Sequence, residues 1–463
     1  MNRKKELAIN TVIIGIGNLF TKALAFILVP LYTAWLTTSE YGDYDLLFSY
    51  VSLVVPTLTL QIEQAVLRYT LVNKDKKKKY FSSSFPIVLI NVLIFLLIDK
   101  FLLDFKYHYA FSFCTVSFAL EVYLIEYLRG CNELKSYSLI NILCGIFSLL
   151  FSIVFVYKLE LGVNGLLVSY GLSYLFVAVF IVIRFHIYTY KFYKEFDLHI
   201  TKALLIYSLP LLPNAISWWI TNVSDRTLIN YYLGSQYNGL YAVSCKIPSL
   251  ISVFFSFFNL AWQQSAILSS TDSKEDQVKF YSSVFNKLNK FLFSSAFLVV
   301  SLTPLIYHFF LNKKYYQSIT IVPILIFATI LLNMSQYIGG ILLGKKDTKT
   351  NGSTTLIAAI ANLIINFLFI KQIGLYAAAI STLISYVIMF VLRLIRVKDL
   401  FDYKKIILKS LLILIIACLF SIQAVQISKL TINLLLMALT TAYFIWANKE
   451  LIFVILRKIG VKL

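Results

Sequence analysis

The sequence predicts an all-α polytopic membrane protein with about 14 transmembrane helices, arranged as two parallel-repeat six-helix lobes around a central cavity plus two C-terminal helices. Three observations lead to this fold class. The 463 residues are 59% hydrophobic and only 14% charged, whereas soluble domains are about half apolar and a quarter charged. Long apolar runs recur along the chain, and short polar phrases return at similar offsets. Lipid must therefore be part of the solvent of this chain.

Fourteen apolar runs of roughly 17–25 residues are long enough to cross a bilayer. They are centred on residues 11–34, 44–66, 81–98, 107–128, 138–157, 162–183, 203–222, 240–263, 289–310, 318–343, 354–372, 374–392, 406–422 and 431–447. The charged start of the chain resembles a signal peptide, but the apolar stretch behind it runs to about Leu36 without a convincing cleavage site. We therefore expect a retained first helix.

The net charge of +20 is explained by orientation in the membrane. With a cytoplasmic N-terminus, 31 of the 42 lysines and arginines fall in cytoplasmic segments and 8 in the opposite loops. This bias obeys the positive-inside rule, and the run KDKKKK (Lys74–Lys79) fits a topology determinant near anionic lipid. We expect a multi-pass protein of the bacterial inner membrane with both termini in the cytoplasm, in contact with membrane lipids and not with nucleic acid.

No pattern typical of an enzyme is visible. The five cysteines are scattered without metal-ligand spacing, and the four histidines lie near the predicted membrane boundaries. There is neither a GxxxxGK[ST] motif nor a long soluble loop that would house a nucleotide site. We expect a protein that is not an enzyme and has no metal or cofactor, and the sequence leaves coupling to H⁺ or Na⁺ open.

One short polar phrase occurs twice. SEYGDY (Ser39–Tyr44) returns as SQYNGLY (Ser235–Tyr241), with Gly42 matched to Gly239 at an offset of 197. RGCNELKS returns as LGKKDTKT at an offset of 214, and GVNGLLVSYGLSY returns as GLYAAAISTLISY at an offset of 212. We interpret the first phrase as a turn at the external end of the first hairpin of each copy, where Gly supplies backbone freedom.

The repeat predicts the domain organisation. Residues 1–200 form an N-lobe of helices 1–6, residues 201–398 a C-lobe of helices 7–12, and residues 399–463 carry helices 13 and 14 with a cytoplasmic tail. Because six is an even number, the two copies have the same orientation, which is one of the repeat patterns of secondary transporters.

Prolines concentrate in corresponding helices of the two copies. All eight lie in apolar runs, and none lies in predicted helices 4–6 or 11–14. Proline removes a backbone donor and bends a helix. Membrane helices tolerate this where neighbours or a cavity satisfy the freed carbonyl. The predicted hinge positions are Pro30, Pro56, Pro210, Pro213, Pro248, Gly42 and Gly239.

Cations at membrane depth predict an anion-binding cavity. A charge in the bilayer is expensive, so by default it faces a cavity or a partner. Lys22 lies about twelve residues into helix 1 with Asn18 one turn before it, and Lys246 lies about two turns into helix 8. Basic side chains suit a phosphate. We take Lys22, Asn18, Lys246, Arg226 and Arg68 as candidate substrate-binding residues.

Alternatives stay open for several of these charges. Arg68 would instead snorkel to the cytoplasmic interface. Asp225 and Arg226, just past the predicted external end of helix 7, would form a capping pair. Glu63 would pair with Lys22 or titrate as a coupling site, and we take Glu63 and Asp225 as candidates for coupling or ion pairing.

Several motifs carry a family resemblance: LTTSEYGDYDLL after helix 1, AVLRY, YLRG, and SDRTLINYYLGSQYNGLYAVSCKI across helices 7 and 8. Together they resemble the Wzx-type polysaccharide and O-antigen flippases of the multidrug/oligosaccharidyl-lipid/polysaccharide (MOP) exporter superfamily, over essentially the whole chain. Asp225, Arg226, Gly239 and Tyr241 match by motif. YNGLY is one residue longer than YGDY, so the copies are not strict repeats.

The resemblance implies alternating access by twelve to fourteen helices in two lobes, and translocation of polyprenyl-diphosphate-linked oligosaccharide for O-antigen or capsule synthesis. A polysaccharide polymerase or chain-length protein would then be a partner. The alternative is a cation-coupled exporter of small molecules or drugs from the same superfamily, with Glu63 as its acidic centre. A polymerase or scaffold is disfavoured, because the longest predicted external loop, 223–239, has only about 17 residues by the boundaries above.

Overall fold

The structure is a computed structural model that describes residues 24, 26–102, 105–190, 192–270, 272–345, 347–401, 417, 421, 425, 429–450 and 453. The predicted all-helical class is confirmed, because the elements over these residues are helices and none is a strand. Helices of the first half are α1 (Phe26–Trp35), α2 (Thr38–Thr59), α3 (Ile62–Val72), α4 (Lys77–Leu102), α5 (His108–Gly130), α6 (Leu134–Ser152), α7 (Gly162–Arg184) and α8 (Leu198–Ser208). Helices of the second half are α9 (Leu212–Leu233), α10 (Ser235–Ser269), α11 (Lys274–Phe310), α12 (Val322–Gly344), α13 (Thr348–Ile373), α14 (Leu375–Arg396) and α15 (Leu430–Ala447).

The lengths of the helices fit a membrane protein. Ten helices in the described ranges are long and apolar enough to cross a bilayer, and the bent pair of α2 and α3 would make an eleventh. Most of the predicted helices at 11–34 and 406–422 lies outside the described residues.

The chain divides into two compact units, Met1–Val223 and Ser224–Leu463, with the division inside α9. In the first unit α5 packs against α2, α3 and α7, and α6 packs against α7. In the second unit α12 packs against α10 and α14, α13 packs against α14, and α15 lies on α11. The predicted lobe boundaries at 200 and 398 stay predictions.

The internal repeat appears in the ends of the helices. The N-cap residues of α2 and α10, Thr37 and Gly234, are 197 residues apart. Helices α5 and α12 end at Gly130 and Gly344, 214 residues apart. A Cβ on Gly130 would come within 3.2 Å of the carbonyl oxygen of Leu67, and a Cβ on Gly344 within 2.7 Å of a carbonyl oxygen on α10. In both copies glycine lets this helix end closely approach the helix that lies two positions earlier in the chain.

The repeated phrase is not a turn, and that prediction is wrong. Thr37 caps α2 through a capping box, in which Glu40 N donates to Thr37 Oγ1 and Thr37 N donates to Glu40 Oε2. SEYGDY therefore forms the first turns of α2, and SQYNGLY forms the first turns of α10. Gly42 and Gly239 are buried residues inside helices, so their expected role as turn hinges finds no support in their backbone geometry.

The prediction of an external loop at residues 223–239 is also wrong. Helix α9 continues to Leu233, and only Gly234, at φ +95°, separates it from α10. The conformational freedom of this glycine permits the sharp reversal between two long helices. Asp225 and Arg226 consequently lie within a helix.

The predicted proline hinges differ from one another. Helix 2 of the sequence is broken after Pro56 into α2 and α3, which are bent by 56°. A 3₁₀ turn at Leu209–Leu211, which contains Pro210, separates α8 from α9. By contrast, α10 runs without a break through Pro248. Pro213 lies at the start of α9, and Pro30 lies inside α1.

Candidate functional site

Lys246 lies within the membrane-spanning part of α10. It is eleven residues after the start of the helix, in the apolar stretch Ser235–Asn259. Its side chain is half-buried, and no ion pair of the described residues includes it. An unpaired ammonium at this depth is unstable in hydrocarbon and needs water or an anion. Lys22 and Asn18 lie outside the described residues.

A row of neutral polar residues continues from Lys246 along one face of α10. We call it the polar stripe, and it consists of Ser249, Ser252, Ser256, Asn259 and Gln263. Successive members are three or four residues apart, which keeps them on one side of a helix. All five are partly or fully exposed. With Lys246, the row covers about 26 Å at 1.5 Å per residue.

The opposite face of α10 is apolar and buried. Ile247, Ile251, Phe255 and Trp262 are each at most 3% exposed. Trp262 Nε1 donates to the carbonyl of Tyr337 on α12 at 2.8 Å. Since the apolar face packs inside the second unit, the polar stripe faces out of it, and its hydroxyl and amide groups suit water better than hydrocarbon. The sequence carried this signal in the spacing of Ser, Asn and Gln, which our sequence reasoning missed.

Asp225 is the centre of a second polar cluster, which we call the polar hub. The side chain is 5% exposed and accepts three hydrogen bonds, from Asn366 Nδ2 at 2.7 Å, Thr382 Oγ1 at 2.8 Å and Tyr241 Oη at 3.0 Å. When the amide of Asn362 takes the orientation that satisfies both its ends, its nitrogen also donates to Asp225 Oδ1 at 3.0 Å. The hub therefore joins α9, α10, α13 and α14.

The chemistry of the hub fits a small hard cation or a proton. The carboxylate is bonded by two hydroxyl groups and an amide nitrogen, and Asn366 Oδ1 is buried without a hydrogen-bond partner among the described residues. Oxygen ligands of this kind suit hard cations. No group of three or more His, Cys, Asp or Glu side chains that would hold a transition metal occurs in the described part of the chain.

The corresponding place in the first copy has different chemistry. At the repeat offsets, Asp225 corresponds to Leu28, Asn366 to Ser152 and Thr382 to Tyr170. There Tyr32 Oη and Ser152 Oγ are hydrogen-bonded at 3.1 Å, with no carboxylate at the position equivalent to the hub. Only the second copy thus carries a candidate cation site at this position.

Three further charged candidates occupy different surroundings. Arg226 is half-buried and is electrostatically attracted to Asp225. The guanidinium of Arg68 is exposed and lies 4.7 Å from the ring centre of Tyr207, within the range of a cation–π contact. Glu63, in the first turn of α3, is 2% exposed, and its Oε2 has no partner among the described residues. Arg68 and Glu63 lie in the first unit, whereas the polar hub lies in the second.

The fold is shared with known transporters. An inward-facing multidrug resistance transporter of the MATE family of the MOP superfamily matches with a TM-score of 0.58 at 14% identity, over 85% of this chain and 98% of that one. The lipid II flippase MurJ in an inward closed conformation matches with a TM-score of 0.51 at 15% identity, over 96% and 99%. The chain is therefore a multi-pass helical membrane protein with the MOP transporter fold.

The sequence comparison gives the family. Residues 7–262, more than half of the chain, match the family described as "Polysaccharide biosynthesis protein", and the chain belongs to that family. It is also 22% identical to an uncharacterized membrane protein of Methanocaldococcus jannaschii, over 85% of this chain and 99% of the relative.

Proposed function

We propose that this protein is a flippase that moves lipid-diphosphate-linked oligosaccharide units across the cytoplasmic membrane by alternating access, for the synthesis of a surface polysaccharide such as O-antigen or capsule. Membership of the polysaccharide biosynthesis family supports the pathway. The single observation that carries the proposal is the half-buried Lys246, without an ion pair in the described part of the chain, at the head of the polar stripe.

The order of groups along α10 fits the two ends of such a substrate. A diphosphate needs positive charge, which Lys246 supplies, and Lys22 and Arg226 would add to it. Sugar hydroxyls need neutral donors and acceptors, which the polar stripe supplies over about 21 Å. The polyprenyl tail would stay in the bilayer, and polymerase or chain-length proteins would receive the flipped unit.

Lys246 variants test this function. In a strain that lacks the gene, Lys246→Gln should lower surface polymer at least tenfold, because it removes the charge while keeping a polar chain. Lys246→Arg should retain part of the activity, because it keeps the charge with a different shape. Lys290→Gln changes an exposed lysine of α11 and serves as the matched control. Normal polymer with Lys246→Gln at normal membrane abundance would refute the role of Lys246.

The second candidate is a cation-coupled exporter of small molecules, with which the polar hub is also compatible. A buried carboxylate that binds H⁺ or Na⁺ is what a coupled transporter needs, although a coupled flippase would need it equally. Glu63 stays a predicted alternative coupling residue. A deletion strain separates the two functions, because loss of surface polymer without drug sensitivity identifies the flippase and the converse identifies the exporter.

A further inference from the structure

The break in helix 2 is built without glycine. Helix α2 ends at Thr59 and α3 begins at Ile62, with a 56° bend between them. The two residues of the joint, Leu60 and Gln61, have φ values of +52° and +54°. Residues other than Gly, Asn and Asp rarely adopt this left-handed conformation, and they persist there only when the surrounding structure holds them. The joint is therefore strained.

The hydrogen bonds at the joint are those of a helix stop. Gln61 N donates to Pro56 O at 3.2 Å, and Leu60 N donates to Thr57 O at 3.3 Å. This is the pattern of a Schellman motif, which normally has Gly in the left-handed position. In an unbroken helix the N–H of Ile62 would bond the carbonyl of Leu58.

The side chain of Asn91 on α4 replaces the missing backbone donor to Leu58. Its Nδ2 donates to the carbonyl oxygen of Leu58 at 2.9 Å. A buried carbonyl without a donor is costly, so this amide stabilises the broken form. A continuous helix would satisfy Leu58 by itself and would not need Asn91.

Two observations indicate that the broken form is one of two arrangements. At the 197-residue offset the joint corresponds to Phe257 and Phe258, which lie inside the unbroken helix α10. Glu63, at the start of α3, has a buried carboxylate oxygen without a partner in the described structure. Buried polar atoms are nearly always satisfied, and rotation of α3 about the joint would give this oxygen new neighbours.

We propose that the Leu60–Gln61 joint exchanges between a broken and a continuous helix 2 during transport, and that Asn91 is a positioning residue that favours the broken form. Strain at two residues opposes the broken form, and one side-chain hydrogen bond supports it. The two forms are thus close in free energy, which is what a two-state element requires. The proposal rests on the proposed function only for its transport readout.

Two substitutions should shift the equilibrium in opposite directions. Gln61→Gly removes most of the left-handed penalty at one residue, and should favour the broken form about 5- to 30-fold. Asn91→Leu removes the donor to Leu58, and should favour the continuous form about 5- to 10-fold. Ser52→Gly places a glycine in the helical part of α2 and is the matched control, for which we expect no shift.

Distances between spin labels report the two forms directly. In a protein without its native cysteines, labels at the exposed positions Ser39 and Leu71 flank the joint. Their backbone separation would be about 48 Å along a continuous helix and about 42 Å with the observed bend, at 1.5 Å per residue. Labels at Gln236 and Leu268, at the same offset on unbroken α10, give the reference distance.

We expect two populations in the wild-type protein, with the shorter distance enriched by Gln61→Gly and the longer by Asn91→Leu, and slower transport in both variants. One distance that neither variant changes, or shifts that leave transport unchanged, would overturn the proposal. Because the distances do not depend on which molecule is carried, opposite shifts would support the joint even if the polysaccharide function failed.

Discussion

The polar hub predicts a specific loss of stability when Asp225 is changed. The carboxylate accepts hydrogen bonds from Asn366, Thr382 and Tyr241 in a site that is nearly closed to solvent. Asp225→Asn turns one acceptor into a donor that faces existing donors, and should cost about 1–3 kcal/mol. Asp225→Leu removes both acceptors and leaves the donors of Asn366 and Tyr241 without their carboxylate, whereas Thr382 keeps the carbonyl of Ala378, and the change should cost about 3–5 kcal/mol.

Cation binding at the hub would add a second, measurable effect. A ligand that binds only the folded state stabilises it by about 2.7 kcal/mol at one hundred times its dissociation constant. We expect the purified protein to unfold at a higher temperature in NaCl than in KCl of equal ionic strength if the hub takes Na⁺, or at lower pH if it takes a proton. Asp225→Asn should abolish whichever response the wild-type protein shows, and the exposed Asp272→Asn should leave it intact.

The results separate the structural role of the hub from coupling. Wild-type stability in both Asp225 variants would refute the hub itself. If the variants are destabilised but the wild-type protein responds to neither Na⁺ nor pH, binding of a cation or proton at the hub is refuted. The hydrogen-bond network would then be the reason that Asp225 is buried.

Three other substitutions test the second unit, each by thermal unfolding in detergent. Gly344→Ala should destabilise, because its Cβ would lie 2.7 Å from a backbone carbonyl, whereas Gly352→Ala meets nothing within 4 Å and should be neutral or stabilising. Arg396 holds the pKa of Asp347 at about 2, so the stability from this pair should persist above pH 4 and disappear as the pH falls towards 2; Asp347→Asn should flatten that dependence. Arg393→Ala should cost about 1–3 kcal/mol and Arg393→Lys should recover only part, because the buried guanidinium bonds acceptors on both α12 and α13.

Much of the fold was predictable because membrane helices are apolar over their whole length. The runs at 81–98 and 107–128, for example, correspond to α4 and α5 with boundaries extended by a few residues. The start of α2 was also predictable in principle, since Thr37 and Glu40 have the spacing of a capping box. Gly42, a residue type common in turns, gives a competing local signal.

Other features depend on contacts that no local pattern contains. Helix α9 continues past Asp225 because Asn366 and Thr382, about 140 and 157 residues later in the chain, satisfy the carboxylate. The low hydropathy of residues 223–239 by itself predicts a loop. The joint at Leu60–Gln61 has no glycine to mark it, and the Asn91 amide that supports it comes from the next helix.

The two copies of the repeat differ in one helix and in the residues of the polar hub. In the second copy, helix α10 is continuous, carries Lys246 and the polar stripe on one face, and binds the hub through Tyr241. In the first copy, the equivalent helix is broken, and Leu28 and Tyr170 stand where the hub has Asp225 and Thr382. A rigid polar helix suits holding a ligand, whereas a strained joint suits movement. Exchange of these features between copies, by a continuous α2–α3 or a glycine-broken α10, should therefore impair transport even where both variants fold.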